Sequence, residues 1–334
     1  MWNTIARRII AVAATAAVIA GLGACSNSAD EALGSSTANG AETSKTTVLK
    51  VAAMPIADLG AFYYALDSGE FKKAGLDVQT VDTTSGAAGI ASLVSGDVDI
   101  AYSGTDGALK AAAKNLPVKI IAGSGLSRSD GDKDSVGFVV PGNITSPKQL
   151  EGATIATMAL GNINQAYSRK WLDSQGVDSS TVKFVEIPSS EQVAALENGN
   201  IQGSILPDPF ASQAIDKGSH IIGWPYRTGQ GHDTLVSVWT ASDSTLKDKK
   251  DAVRTFLKVL DKANQQANDE TNHEAVVNAI LSHTKLTKEV ADNIVFFKWS
   301  VKADRAKINE VADTLSQYGL LDGKPDLDKL IVTV

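Results

Sequence analysis

In 334 residues there is one cysteine, Cys25. A single thiol excludes an intrachain disulfide and any cysteine-based zinc site. Histidine is almost as scarce. His220, His232, His273 and His283 are the only four, and no loop carries two of them at metal-ligand spacing. Positive charge is in deficit too: 31 Lys and Arg against 38 Asp and Glu, a formal net charge of −7. That balance gives no reason to expect nucleic acid as a partner. What remains is ordinary for a soluble globular chain, 43% apolar and 21% charged, and long enough for two domains with proper cores.

The most informative stretch runs from Thr83 to Gly123, TTSGAAGIASLVSGDVDIAYSGTDGALKAAAKNLPVKIIAG. Ser85-Gly86 precede Ile90, Leu93 and Val94, the spacing of a capped helix. Val98, Ile100 and Tyr102 predict a short strand. Gly104-Thr105-Asp106 opens a second helix, and Val118 to Ala122 reads as a buried strand. Alternation of this kind builds a largely parallel sheet flanked by helices. Ligands then sit beyond the carboxyl ends of the strands.

The unit recurs. ALENGNIQGSILPDPFAS matches SLVSGDVDIAYSGTDGAL at an offset of 103 residues, pairing Leu93 with Leu196, Gly96 with Gly199 and Thr105 with Asp208. A repeat of that length means duplicated lobes rather than a solenoid. The apolar runs Val136–Val140 and Thr234–Thr240 read as two crossings between the lobes. From Ser244 onward four stripes predict helices packed around the first lobe: Val253/Phe256/Leu257/Leu260, Val276/Val277/Ile280, Val290/Ile294/Phe297 and Ile308/Val311/Leu315/Tyr318.

At the N-terminus, Arg7-Arg8 lead an apolar run that is too short for a comfortable membrane span and has the layout of a secretory signal. It ends in Leu22-Gly23-Ala24-Cys25, which resembles a bacterial lipobox. The resemblance implies cleavage before Cys25 and a lipid on its thiol. Loss of the two arginines would take the net charge from −7 to −9. Ser26 to Lys45 is rich in Ser, Ala, Gly and Asn and reads as a flexible tether.

Four segments together carry a family likeness: MPIADLGAFYYALDSGEFKKAGLDVQ, ASLVSGDVDIAYSGTDGALKAAAKNLPVKIIAG, LEGATIATMALGNINQAYSRKWL and VKFVEIPSSEQVAALENGNIQGSILPDPF. With FFKWSVKADRAKINEVADTLSQYGLL near the C-terminus, they resemble the substrate-binding lipoproteins of bacterial ABC importers for nitrate, taurine and aliphatic sulfonates. That group includes binders of thiamine pyrimidine precursors. The resemblance implies an α/β fold of the type 2 periplasmic binding proteins: two similar lobes with mostly parallel sheets, two hinge strands and C-terminal helices. It divides the chain into a signal peptide at 1–24, a tether at 25–46, a first lobe from 47–140 and 234–334, and a second lobe at 141–233. It further implies a monomer on the outer face of the cell membrane, a small-molecule ligand, a permease and an ATPase as partners, and no cofactor or metal. Two alternatives stand beside it. One is a sensing lipoprotein without a transport role. The other is an enzyme like the fungal thiamine-pyrimidine synthase, whose iron site uses His and several Cys.

Site candidates follow from loop position and chemistry. Asp58, Phe62 and Tyr63 follow the first strand, the aromatics offering rings to stack on a ligand. Ser85 and Gly86, and Thr105 and Asp106, stand at helix N-termini, where free N–H groups favour an anion. Asn162 and Asn164 offer hydrogen bonds, and Trp224 a ring. In Pro207-Asp208-Pro209-Phe210 the family usually has an acidic residue followed by Pro and an aromatic, so the resemblance puts Asp208 and Phe210 at the ligand. These loops hold no Lys or Arg before Arg227. Asp106 and Asp208 therefore favour an amino-sulfonate or an aminopyrimidine over nitrate.

Overall fold

A computed structural model describes residues 46–128, 133–227 and 233–334. The expected signal peptide, Cys25 and nearly all of the tether lie outside the described residues. In chain order the first run is β1 (Thr47–Ala53), α1 (Gly60–Asp67), α2 (Glu70–Lys73), β2 (Leu76–Asp82), α3 (Gly86–Ser95), β3 (Ile100–Gly104), α4 (Thr105–Ala113), β4 (Val118–Gly123) and the short β5 (Gly125–Leu126). The second run is β6 (Val136–Pro141), β7 (Thr154–Thr157), α5 (Ile163–Ser174), β8 (Lys183–Glu186), α6 (Ser189–Glu197), β9 (Gly203–Pro207), α7 (Phe210–Asp216) and β10 (Ser219–Gly223). The chain returns through β11 (Ser237–Ser242) and continues as α8 (Asp243–Asp248), α9 (Lys250–Ala267), α10 (His273–His283), α11 (Lys288–Ala291), β12 (Lys298–Trp299), α12 (Arg305–Gln317) and α13 (Leu327–Leu330).

Two five-stranded sheets result, β2-β1-β3-β11-β4 and β8-β7-β9-β6-β10. They share one order, with one strand inserted antiparallel beside the third: β11 in the first sheet and β6 in the second. The repeat is therefore real at the level of elements. β9 lies 103 residues beyond β3 at both ends, and α6 starts 103 residues beyond α3.

The inserted strands correct the expected crossings. β6 pairs antiparallel with β9 and β10 inside the second sheet, and β11 pairs with β3 and β4 inside the first. An all-apolar run such as VGFVV needs cover on both faces, which a crossing segment does not supply. Val136 to Val140 are accordingly buried. The second lobe takes β6, so the first lobe ends before Val136 rather than at Val140. The chain passes between sheets in the segments just before these strands. There Ser127 N–H donates to the Thr234 carbonyl at 2.9 Å, and Thr234 N–H donates to Ser127 Oγ at 2.8 Å.

Two further expectations change. The stripe Val290/Ile294/Phe297 is not one helix, because α11 stops at Ala291 and a turn at Asp292-Asn293 leads into irregular chain before β12. The side-chain amide of Asn268 brackets Trp299, accepting from its N–H and donating to its carbonyl, and Trp299 pairs with Gly125 of β5. A helix could not satisfy both partners. The C-terminal helices also do not serve the first lobe alone. Ile308, Val311 and Leu315 of α12 join one apolar cluster with Leu109 of α4 and with Tyr167 and Trp171 of α5, so α12 packs on both lobes. The first lobe has its own aromatic core of Phe62, Phe71, Trp239 and Phe256. Burying each such ring contributes about 1.5–3 kcal/mol.

Candidate functional site

The carboxyl ends of the first lobe's strands carry the loops expected of a ligand site. Asp58 stands in the turn before α1. Its Oδ2 accepts from the Tyr102 hydroxyl on β3 and from Ser237 Oγ on β11, the latter at 3.2 Å. Its carbonyl accepts from Trp299 Nε1 at 2.6 Å, which fixes the turn. Its Oδ1 is shut off from solvent and has no partner. A Cβ on Gly125 would stand 2.7 Å from that oxygen, so only glycine leaves it room. Burial pushes the Asp58 carboxyl up to about 6, outweighing the two hydroxyl donors that hold it down.

Ser85 caps α3, its Oγ accepting from Ala88 N–H at 3.2 Å. Gly86 begins that helix so close to β3 that a Cβ would stand 3.1 Å from Gly104 N and from Ser103 Oγ. The N-terminus of α3 and the end of β3 thus form one small polar corner.

The second lobe meets this corner where α5 approaches the N-terminal turn of the first lobe's α4. Thr105 is fully buried, and its hydroxyl donates to the Leu235 carbonyl at 2.7 Å on the returning crossing. Asp106 is half-buried beside Lys110, 3.9 Å away, and accepts backbone hydrogen bonds, one of them from Ile163 of α5. Burial still raises its pKa. Lys110 reaches across to the Gly161 carbonyl. Asn162 caps α5, accepting from Gln165 N–H at 3.0 Å. Asn164 is buried and accepts from the Tyr226 hydroxyl. Tyr226 is the hub: its phenol is held well above the usual range by burial and then by Asp106, Tyr167, Asp134 and Asp58. Three carboxylates from separate elements, each at least half-buried, therefore lie within electrostatic reach of one ring.

On the far side of the cleft, a recess of about 370 Å³ is lined by Asp134, Ser135, Asp208, Ser212, Trp224 and Val295, among others. Asp208 Oδ1 accepts from Ser212 N–H and Oγ at 3.2 and 2.8 Å, holding the first turn of α7. Its Oδ2 accepts from Val295 N–H at 3.3 Å, a bond from the second lobe to the C-terminal segment. Asp134 is pushed up to about 6 by burial, although Arg227 stands 4.0 Å away and two backbone N–H groups donate to it. The Arg227 guanidinium lies 5.6 Å from the centre of the Trp224 ring.

Of the expected contacts, the structure places Asp58, Ser85, Gly86, Thr105, Asp106, Asn162 and Asn164 around the lobe junction, and Asp208 and Trp224 around the recess. Three lie elsewhere. Phe62 is 1% exposed in the first lobe's core. Tyr63 is buried with its ring stacked on His283 at 4.4 Å. Helical spacing turns both rings away from the cleft because α1 packs on α9 and α10. Phe210 is half-buried against the second lobe's core. Sequence reading missed Tyr102, Ser237, Asp134 and Trp299. Tyr102 and Ser237 end up beside Asp58 only because β11 inserts antiparallel next to β3, a pairing no local pattern announces.

Two like sheets joined by paired crossings, with a polar cleft between them, define the periplasmic binding protein fold. The chain belongs to the NMT1-like family, whose profile matches residues 42–281. It is 25% identical over 187 residues to the taurine-binding periplasmic protein of Escherichia coli (strain K12). That stretch is 56% of each protein, so the chain matches a little over half the length of this curated relative. The fold is similar to the periplasmic aliphatic sulphonate binding protein SsuA of Escherichia coli, with TM-score 0.72 and 14% identity over 86% of this chain and 92% of that one. It is equally similar to the alkanesulfonate-binding SsuA of Xanthomonas axonopodis pv. citri bound to MOPS, at TM-score 0.71 and 14% identity over 86% and 99%.

Proposed function

We propose that this protein captures a small polar organic solute between its lobes and delivers it to an ABC importer. The observation that carries this reading is the junction itself: loops at the strand ends of two like sheets meet around buried, partly unpartnered polar groups, as a closing cleft requires. The relatives named for taurine and sulfonates support the same class of cargo. Solutes that donate hydrogen bonds suit it best, either an amino-sulfonate or an aminopyrimidine, because the charged groups around Tyr226 are chiefly carboxylates. Nitrate, a small acceptor-only anion, suits it less. The role proposed is binding without reaction, which the relatives named as binding proteins support. Outside the described residues, Cys25 is proposed to carry lipid and the tether to hold a monomer at the outer face of the membrane, within reach of a permease and its ATPase. Calorimetric titration with taurine, alkanesulfonates, aminopyrimidines and nitrate tests the reading. Saturable binding of one organic class supports it, and no binding across the whole panel overturns it.

A further inference from the structure

We propose that Asp58 is the residue that selects the solute's hydrogen-bond donor, preferring an amine or ring N–H over an equally sized solute that lacks one. This rests on the solute-binding reading above and names the group that would set its specificity.

Four carboxylates surround the cleft, and three already have partners. Asp208 has both oxygens occupied, by Ser212 and by Val295 N–H. Asp106 has Lys110 and backbone donors. Asp134 has two backbone donors on Oδ1, and its Oδ2, buried without a hydrogen bond, still has the Arg227 guanidinium 4.0 Å away. Asp58 differs. Only the neutral Tyr102 and Ser237 hydroxyls bond to its side chain, both on Oδ2, and no cation contributes to its charge state. Its Oδ1 is buried and bare. An ionised carboxylate out of water without a donor is costly, and the cost is relieved when a donor arrives. Charge-assisted hydrogen bonds to an ammonium or an amine do this best.

The surroundings fix where that oxygen points. Trp299 Nε1 ties down the Asp58 carbonyl, Tyr102 and Ser237 hold Oδ2, and Oδ1 lies so close to Gly125 that a Cβ there would stand 2.7 Å from it. Tyr102 is on β3, Ser237 on β11 and Gly125 on β5, so the group sits at the strand ends where this fold class takes its ligands. A carboxylate held this rigidly loses little entropy on binding, which sharpens discrimination between solutes.

The test uses matched solutes: taurine against ethanesulfonate, and 4-amino-2-methylpyrimidine against 2-methylpyrimidine. Each is titrated calorimetrically into the parent protein, Asp58→Asn and Asp208→Ala, with circular dichroism confirming that each variant folds. The parent should bind one amine-bearing member at least tenfold more tightly than its partner. In Asp58→Asn that preference should collapse, with affinity for the amine-bearing solute falling about a hundredfold. Asp208→Ala should keep the preference. Retention of the preference in Asp58→Asn, or its loss in Asp208→Ala alone, overturns the assignment while leaving solute binding intact. Absence of binding by the parent to either pair, with binding to other members of the wider panel, overturns the assignment as well. Absence of all binding instead overturns the solute-binding reading on which it rests.

Discussion

At Asp58, function and stability pull in opposite directions. Burial lifts its carboxyl from 3.8 to about 6, so the folded protein keeps a proton that the unfolded chain has released between those values. The group's stabilising contribution is fully present below about pH 4 and is lost as pH rises through about 6. Near neutral pH the empty protein therefore carries an uncompensated anion, which a donor on the solute would relieve. Asp58→Asn keeps the side chain's shape and acceptor but cannot ionise. Without solute it should be more stable than the parent at pH 7.5, by on the order of 1–3 kcal/mol, and should show little gain at pH 4. Chemical denaturation at both values checks this, and an equal effect at the two would assign Asp58 a purely steric role. Binding of an amine-bearing solute to the parent should weaken as pH falls through about 6, where Asp58 takes up its proton. Asp134 titrates in the same range, so the difference between parent and Asp58→Asn isolates the Asp58 share. Of this chemistry the sequence disclosed the loop and the residue types. It did not disclose that Tyr102 and Ser237 would bracket Asp58, because they are 135 residues apart and meet through an inserted strand. Nor did it separate cleft from core on α1, where Phe62 and Tyr63 answer to α9 and α10 rather than to the preceding strand.

At the scale of elements, the repeat was legible because each lobe must solve the same packing problem with the same turns. Gly96 and Gly199 both adopt left-handed backbone at the ends of equivalent helices. The exchange of β6 and β11 between the halves was not legible, since an apolar pentapeptide looks alike in a crossing and in a sheet interior. That exchange decides how the lobes can move. α12 joins them through apolar packing on one side, reinforced by the Lys170–Glu310 pair at 3.1 Å and by Tyr318 donating to Asp173 at 2.8 Å. On the other side Val295 N–H donates to Asp208 at 3.3 Å. Opening should begin at this half-buried hydrogen bond rather than at the apolar α12 seam, with α12 staying in place. Amide exchange at Val295 should slow when solute is added, while amides in α12 change little. Asp208→Ala should remove the protection at Val295 and weaken affinity about tenfold or less through faster release, since one hydrogen bond to a charged acceptor is typically worth about 1.5–3 kcal/mol and part of that is lost to water. Protection at Val295 that survives the substitution would mean that Asp208 only caps α7.

At the scale of the whole molecule, the proposed role calls for the binding domain to be held near a permease. Leu22-Gly23-Ala24-Cys25 follows a basic and apolar leader, and a polar stretch separates it from β1. No helix among the described residues is long and apolar enough to cross a membrane, so attachment would fall to the segment before β1. A single acyl chain holds a protein only reversibly, whereas a multiply acylated cysteine gives stable anchoring. Cys25→Ala removes the only thiol in the chain and touches no residue of the cleft. The variant should therefore leave the membrane fraction for the soluble one while binding solute with the parent's affinity. Fractionation followed by titration of the released protein tests both halves together. If Cys25→Ala protein stays with the membranes, the leader is acting as an uncleaved anchor and the lipid assignment is wrong. If it is released but no longer binds, the N-terminal segment contributes to the cleft and the division between tether and binding domain has to be redrawn.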